Sequence, residues 1–359
     1  VVRFGDVSNI WNTIKEINVT EIRESGEQPV RLAVIGDADL RAAVVRALHW
    51  STSRYPPAGR AIIAELDLPL ARERQQEAQS ADLALLVVDG RERVSAHAAD
   101  AADWLGRVAM PKLVLLIGDE RAPQGEGGAW YAPDARVVRA PGVEPASLAD
   151  TLMPAIVEEL PEELRVAAAR RLPGLRNAVA QWLISEVSFS NATFALTAGI
   201  PQMVPLLSLP LSAADIVVLT KNQALMTYRL ALAFGAPANF QAQMTEVMPV
   251  IGGGFVWRQV ARQLVAMIPF LGLVSKTAVA YAGTYVTGQI AAAWYRNGEV
   301  ITGDALKRLY RQASELGQQR ARELIKRRRR ELPPPANGAD GSESSEQGTE
   351  QRRWRFRRK

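Results

Sequence analysis

The stretch RLAVIGDADLRAA, residues 31–43, decides how the first half of the chain reads. Leu32, Ala33, Val34 and Ile35 form an unbroken apolar run that ends at Gly36 and an acidic turn, and a polar, helix-forming segment follows. A short apolar run closed by turn residues is the pattern of a strand buried on both faces. The same unit recurs as AIIAELD at 61–67, ADLALLVVDG at 81–90, PKLVLLIGD at 111–119 and ARVVRAPG at 135–142, with helical stretches at 39–50 and 96–108. Strands alternating with helices predict an α/β domain built on a doubly wound parallel sheet.

The turn after the first strand is where such sheets commonly hold phosphate. In a P-loop NTPase the strand runs into G-x-x-x-x-G-K-[ST]: backbone amides cradle the phosphates, the Lys reaches the β/γ-phosphates and the hydroxyl holds magnesium. The corresponding residues here are GDADLRAA, 36–43; Gly36 is present, but Arg41, Ala42 and Ala43 stand where Gly, Lys and Ser/Thr belong. Asp37 and Asp39 put negative charge beside the phosphate position, a repulsion that can cost several kcal/mol at a dry site. At the second strand end, Asp67-Leu68-Pro69-Leu70 is similar to the DxPG switch of translation-factor-like GTPases, with Leu70 in place of the glycine. The guanine-reading NKxD is replaced by Ile117-Gly118-Asp119-Glu120. Three motifs altered at matching places predict a degenerate, P-loop-like domain. Its phosphate-site positions are Gly36, Asp37, Arg41 and Asp67, and no catalytic residue, metal or cofactor is expected. The run IVVLTKNQ at 216–223 has no base-reading Asp and helical, apolar neighbours, so it is rejected as a second guanine motif. His49 and His97 are the only histidines and fall in separate helices, which argues against a histidine-based centre.

The 359 residues, 48% of them hydrophobic, suffice for two domains and exclude a wholly disordered chain. The absence of cysteine excludes disulfides and thiolate metal sites and is compatible with a reducing cytosol. The first fifteen residues show no secretory signal, so the sequons at Asn18 and Asn191 are expected to be unused. Net charge is +5, but residues 320–359 hold 13 basic and 6 acidic side chains, a concentration that favours an anionic surface, phospholipid or nucleic acid.

The chain divides into an N-terminal amphipathic helix within 1–28, carrying Val7, Ile10, Trp11, Ile14 and Ile17, and the α/β domain at 29–158. Connecting helices follow at 159–190, broken at Pro173-Gly174, then an apolar helical domain at 191–300. A basic amphipathic helix at 301–332 presents Leu306, Leu309, Tyr310 and Ala313 on one face, and a disordered tail at 333–359 ends in RRWRFRRK. The cations Lys326, Arg327, Arg328, Arg329 and Arg330, with Trp354 and Phe356, are the expected lipid contacts. Each cation near an anionic leaflet contributes about 1 kcal/mol, and aromatic rings favour the headgroup level.

Residues 191–235 and 246–295 together resemble a bacterial family of helical domains, the domain of unknown function 697. The resemblance rests on PLLSLPLSAADIVVLTKNQALM at 205–226, the IGGG run at 251–254 and AVAYAGTYVTG at 278–288, about a hundred residues in all. Members of that family commonly lie beside or downstream of Era-like GTPase domains, and many are predicted to be membrane-associated. The resemblance implies the same arrangement here, with no catalytic residues to carry over. Membrane embedding, or insertion as a hairpin, is accordingly weighed above a buried soluble core. Residues 191–214 are uncharged but interrupted by Pro201, Pro205 and Pro210. Residues 277–295 are also uncharged, with small pairs Ala278/Ala282 and Thr284/Gly288 that suit close helix packing in either setting.

These readings converge on a non-catalytic, membrane-associated, pseudo-GTPase-like scaffold or regulator at the inner face of the bacterial cytoplasmic membrane. Its expected partners are anionic lipid and an unidentified protein. Two alternatives stay open: a GTP-binding protein with a rewritten phosphate loop, and a soluble cytoplasmic protein that holds nucleic acid through its basic end.

Overall fold

A computed structural model describes residues 18–91, 94–118, 135–197, 213–252 and 272–331. The expected amphipathic helix over 7–17 and the tail residues Trp354 and Phe356 lie outside the described residues. All five sequence-derived strands are present: β1 (Arg31–Gly36), β2 (Ile62–Leu66), β3 (Leu83–Asp89), β4 (Lys112–Ile117) and β5 (Arg136–Ala140). They form one parallel sheet in the order β2-β1-β3-β4-β5, with Ala33 opposite Ala64 on one side and Ala84 on the other. The apolar runs have the expected cause. β3 is buried from Leu83 to Val88 and every residue of β4 is buried, because both sheet faces are covered.

Helix α1 (Thr20–Glu27) precedes the sheet, and α2 (Ala38–His49) follows β1. α3 (Arg72–Gln79) and α4 (Ala96–Arg107) cover one sheet face, where Ala33, Ile35, Leu86, Val114, Ala78 and Leu105 share a core. α2 and α5 (Pro145–Glu159) cover the other. That second face does not end at the α/β unit. Leu85 and Leu115 of the sheet belong to one contiguous core with Leu183 and Ile184, Tyr228 and Phe234, Val247, Ile290 and Tyr310.

Those residues come from a helical bundle. α6 (Glu162–Arg171) leads through a tight 3-10 turn (Pro173–Leu175) into α7 (Arg176–Thr197), and α8 (Ala213–Ala233), α9 (Phe240–Gly252), α10 (Gly272–Asn297) and α11 (Gly303–Glu331) complete it. The break expected at Pro173-Gly174 is this turn, and it is packed tightly: a Cβ on Gly174 would lie 2.3 Å from the Ala47 carbonyl oxygen. The expected division at residue 190 falls inside α7, one continuous helix that serves both segments. The expected basic helix over 301–332 is α11, with Tyr310 and Ala313 buried and Leu306 and Leu309 packed against the core.

α10 is the central helix. Residues Ala278, Tyr281, Val286, Ile290 and Tyr295 are buried against α7, α8, α9 and α11. Its small residues let neighbours approach: a Cβ on Gly288 would lie 2.6 Å from Ile184 of α7, and one on Gly317 of α11 would lie 2.6 Å from the Ala278 carbonyl oxygen. The uncharged stretch 277–295 is therefore the core of a protein bundle in this fold. No helix among the described residues is long and apolar enough to cross a membrane.

Candidate functional site

In the observed strand order, the chain leaves β1 toward β2 on one side and returns across β1 to β3 on the other. The carboxyl ends of β1 and β3 thus flank the switch point at which open α/β sheets hold their ligands. The four sequence-derived positions lie there. β1 ends at Gly36 and α2 begins at Ala38, leaving Asp37 as the only residue between strand and helix. A phosphate cradle needs several residues of loop whose amides face the ligand. This turn has none to spare. It is also closed from the side, since a Cβ on Gly36 would stand 2.7 Å from the Val87 carbonyl oxygen of β3.

Arg41, on the first turn of α2, fills the adjacent space. Its Nη1 donates to the Gly36 carbonyl oxygen at 3.0 Å and to Asp67 Oδ1 at 2.5 Å, and its Nε donates to Glu65 Oε2 at 3.4 Å. The Arg41 side chain is 11% exposed, whereas that of Asp67 is 75% exposed. The guanidinium is thus a buried internal cation, reached from outside by carboxylates at the end of β2. Gly36, Arg41 and Asp67 are brought together. Asp37 is exposed and its side chain makes no capping hydrogen bond.

Across the switch point the end of β3 is closed in the same way. Arg91 forks onto Asp89 through Nε–Oδ1 at 2.9 Å and Nη2–Oδ2 at 2.7 Å. These charge-assisted hydrogen bonds hold the Asp89 carboxyl below the usual carboxylate range against a smaller opposing effect of burial. Arg91 also packs over Gly118 at the end of β4, where a Cβ would meet Arg91 Cγ at 2.5 Å. This edge of the sheet therefore holds its own arginine–carboxylate pairs where a ligand would need free donors. No group of three His, Cys, Asp or Glu side chains capable of holding a metal occurs among the described residues. His49 and His97 lie on α2 and α4, and His49 Nδ1 is 3.0 Å from the Val45 carbonyl oxygen of its own helix.

The cationic candidates sit on α11. Lys326 and Arg327 are exposed, and 328–330 continue the same helix. The apolar face of α11 is used against α10 and α7, and the face it offers solvent is mainly charged and polar, with Gln312, Gln318 and Gln319 among its cations and acids. Lys307 pairs with Asp304 and Arg320 with Glu323, while Arg308, Arg311, Arg322, Lys326 and Arg327 form no ion pair among the described residues.

Two arrangements were not read from the sequence. Three arginines around the α6–α7 turn bind backbone carbonyl oxygens of helix ends and of the loop before β2 in place of carboxylates. Arg170 donates to Leu232 and Ala236 at the end of α8, Arg171 to Gly26 and Glu27 at the end of α1, and Arg176 to Tyr55, Pro56 and Ala169. Arg176 is 1% exposed, and burial brings its guanidinium down to about 10. Beside it, Glu246 of α9 accepts from Arg54, Tyr55 and Trp294 at 3.2–3.3 Å, with the Arg54 guanidinium 4.9 Å from the Trp294 ring. Inside the bundle runs an uncharged polar seam: Asn222 donates to Asn191, and Asn191 and Gln223 both donate to Thr284 Oγ1. The signals were present, as Arg170, Arg171 and Arg176 flank the Pro173-Gly174 break and Asn191 and Thr284 stand in apolar runs. Carbonyl partners, however, carry no sequence mark.

Compared with known proteins, the chain matches no family model, and no curated protein matches it.

Proposed function

We propose that this protein is a non-catalytic, membrane-associated scaffold or regulator: a GTPase-like α/β unit that has given up its nucleotide site, joined to a helical bundle at the inner face of a bacterial cytoplasmic membrane. The observation that carries the non-catalytic part is Arg41. Its guanidinium bonds Gly36, Glu65 and Asp67 across a strand-to-helix turn of one residue, in the space a β/γ-phosphate and its lysine would need. The altered motifs at 36–43, 67–70 and 117–120 support a P-loop-like origin, with which the parallel order is compatible, and the resemblance of 191–235 and 246–295 to the domain of unknown function 697 supports the pairing with a helical partner domain. The cations of α11 that form no ion pair among the described residues support attraction to an anionic leaflet.

Calorimetric titration of the full chain with GTP, GDP and ATP, with and without magnesium, tests the first part. The expected result is no saturable heat. Magnesium-dependent, saturable GTP binding would sink the reading in favour of a GTP-binding protein with a rewritten loop.

A further inference from the structure

The bundle has two unlike ends. At one, the start of α7, the end of α8 and the end of α10 grip the α/β unit: Arg176 holds Tyr55 and Pro56, a Cβ on Gly235 would lie 2.6 Å from the Pro56 carbonyl oxygen, and Tyr295 lies 6.5 Å from the Tyr55 ring. At the other, two small clusters tie four helices together. Ala195 of α7 packs with Leu219 of α8 and Ala280 of α10, while Ala192 and Leu196 pack with Tyr281 of α10 and Leu324 of α11. The end of α7, the first turns of α8 and α10 and the last turns of α11 therefore meet there. Some twenty residues of helix separate the two ends, roughly 30 Å at 1.5 Å per residue.

We infer that this free end, marked by Val217, Val218, Phe189, Lys326 and Arg327, is the surface that docks on an anionic phospholipid bilayer, holding the α/β unit away from the membrane. The inference rests on the membrane reading above and adds its orientation. Val217 and Val218, on the second turn of α8, are each 36% exposed, and Phe189 is 37% exposed. Phe189 and Arg327 line one groove of about 380 Å³ between α7 and α11 with Trp182, Tyr281 and Leu324; its acidic members are Glu186 and Glu323, the latter paired with Arg320. Val217, Val218 and Phe189 beside Lys326 and Arg327, which form no ion pair among the described residues, suit the headgroup boundary, where rings and long basic side chains each keep one end dry and one end wet. A polynucleotide would use the cations and could stack on Phe189, but would gain nothing from Val217 and Val218.

Sedimentation of the full chain with phosphatidylcholine vesicles, with and without phosphatidylglycerol, tests this. All substituted positions are solvent-exposed, and each variant is first checked for an unchanged melting temperature. Reversing the free-end charges in Lys326→Glu/Arg327→Glu should lower binding to phosphatidylglycerol vesicles about tenfold or more. Arg308→Glu/Arg311→Glu, near the gripped end of the same helix, should change it less than about threefold. Val217→Ser/Val218→Ser should weaken the binding that survives at high salt. Equal losses from the two charge pairs would overturn the end-on orientation while leaving membrane association standing. No sedimentation of the unaltered chain with any vesicle overturns both, and tight, salt-sensitive binding to polynucleotide in its place assigns the cations to nucleic acid.

Discussion

Arg41 Nη1 lies 2.5 Å from Asp67 Oδ1 and 3.0 Å from the Gly36 carbonyl oxygen, so one side chain joins the ends of β1 and β2 across the start of α2. The fixed cation satisfies the Gly36 carbonyl and the Glu65 and Asp67 carboxylates at the strand ends. Arg41→Ala leaves the buried Gly36 carbonyl oxygen without this donor and should cost about 1–3 kcal/mol in urea unfolding. Arg41→Lys recovers only part of this, because an ammonium cannot span Gly36, Glu65 and Asp67 together. Neither change should create magnesium-dependent nucleotide binding, as the one-residue turn remains.

Arg176 has the larger structural role. It donates to three carbonyl oxygens, from Tyr55, Pro56 and Ala169, and is almost fully buried. Arg176→Met preserves much of the volume but strands those acceptors, so it should destabilise the fold by about 3 kcal/mol or more. Because the lost bonds tie the loop before β2 to the bundle, proteolysis between residues 50 and 61 should accelerate. Unchanged cleavage there would place the stabilisation elsewhere.

The α/β half was legible to within a residue or two because it obeys a local rule. β1, β3 and β4 are buried on both faces, so their apolar runs stand out, and Gly36, Gly90 and Gly118 punctuate their ends. α3 escaped notice because RERQQEAQ buries little besides Ala78 and has no apolar stripe. At the candidate site the sequence singled out Gly36, Asp37, Arg41 and Asp67, and the fold joins Arg41 to Gly36 and Asp67. The Arg41 partners Glu65 and Asp67 come from the next strand and could be assigned only from the fold. In the helical half, periodicity could not separate a membrane span from a bundle core, since α10 is buried nearly all round and both settings use small residues at the same spacing.

Glu186 offers a test by pH. Burial and Glu162 push its carboxyl above the usual carboxylate range, with Arg229 and Arg165 opposing. An acid whose folded-state value is raised takes up its proton more readily when native, so its charged form costs stability above that value, and the cost fades as pH falls toward the ordinary carboxylate range. Glu186→Gln should therefore stabilise the protein at neutral pH, by no more than about 0.5 kcal/mol at this surface position. The gain should vanish under mildly acidic conditions. Asp89 has the opposite sign: its lowered value means that the Arg91 fork stabilises the fold at neutral pH and is lost only as pH falls through the lowered range. Parallel thermal melts of Glu186→Gln and Asp89→Asn across pH should thus diverge in opposite directions, and parallel curves would contradict both assignments.

The glycines of the bundle test whether α10 is held by contact or merely enclosed. A Cβ on Gly283 would meet nothing within 4 Å among the described residues, so Gly283→Ala should raise stability by about 0.5–1 kcal/mol through helix propensity alone. Gly317 has the same intrinsic gain available, but its Cβ would stand 2.6 Å from the Ala278 carbonyl oxygen, a backbone atom that cannot turn aside. Gly317→Ala should therefore push α11 off α10 and cost about 1–3 kcal/mol net. Gly288→Ala meets side-chain atoms of Ile184 and Met226, which can shift rotamer, and should fall between the two. Chemical denaturation of the three variants gives the order Gly283→Ala, Gly288→Ala, Gly317→Ala from most to least stable. A Gly317→Ala protein as stable as the parent would mean that α11 packs on the bundle loosely enough to separate from it, and the end-on surface carried by its last turns would lose its fixed position.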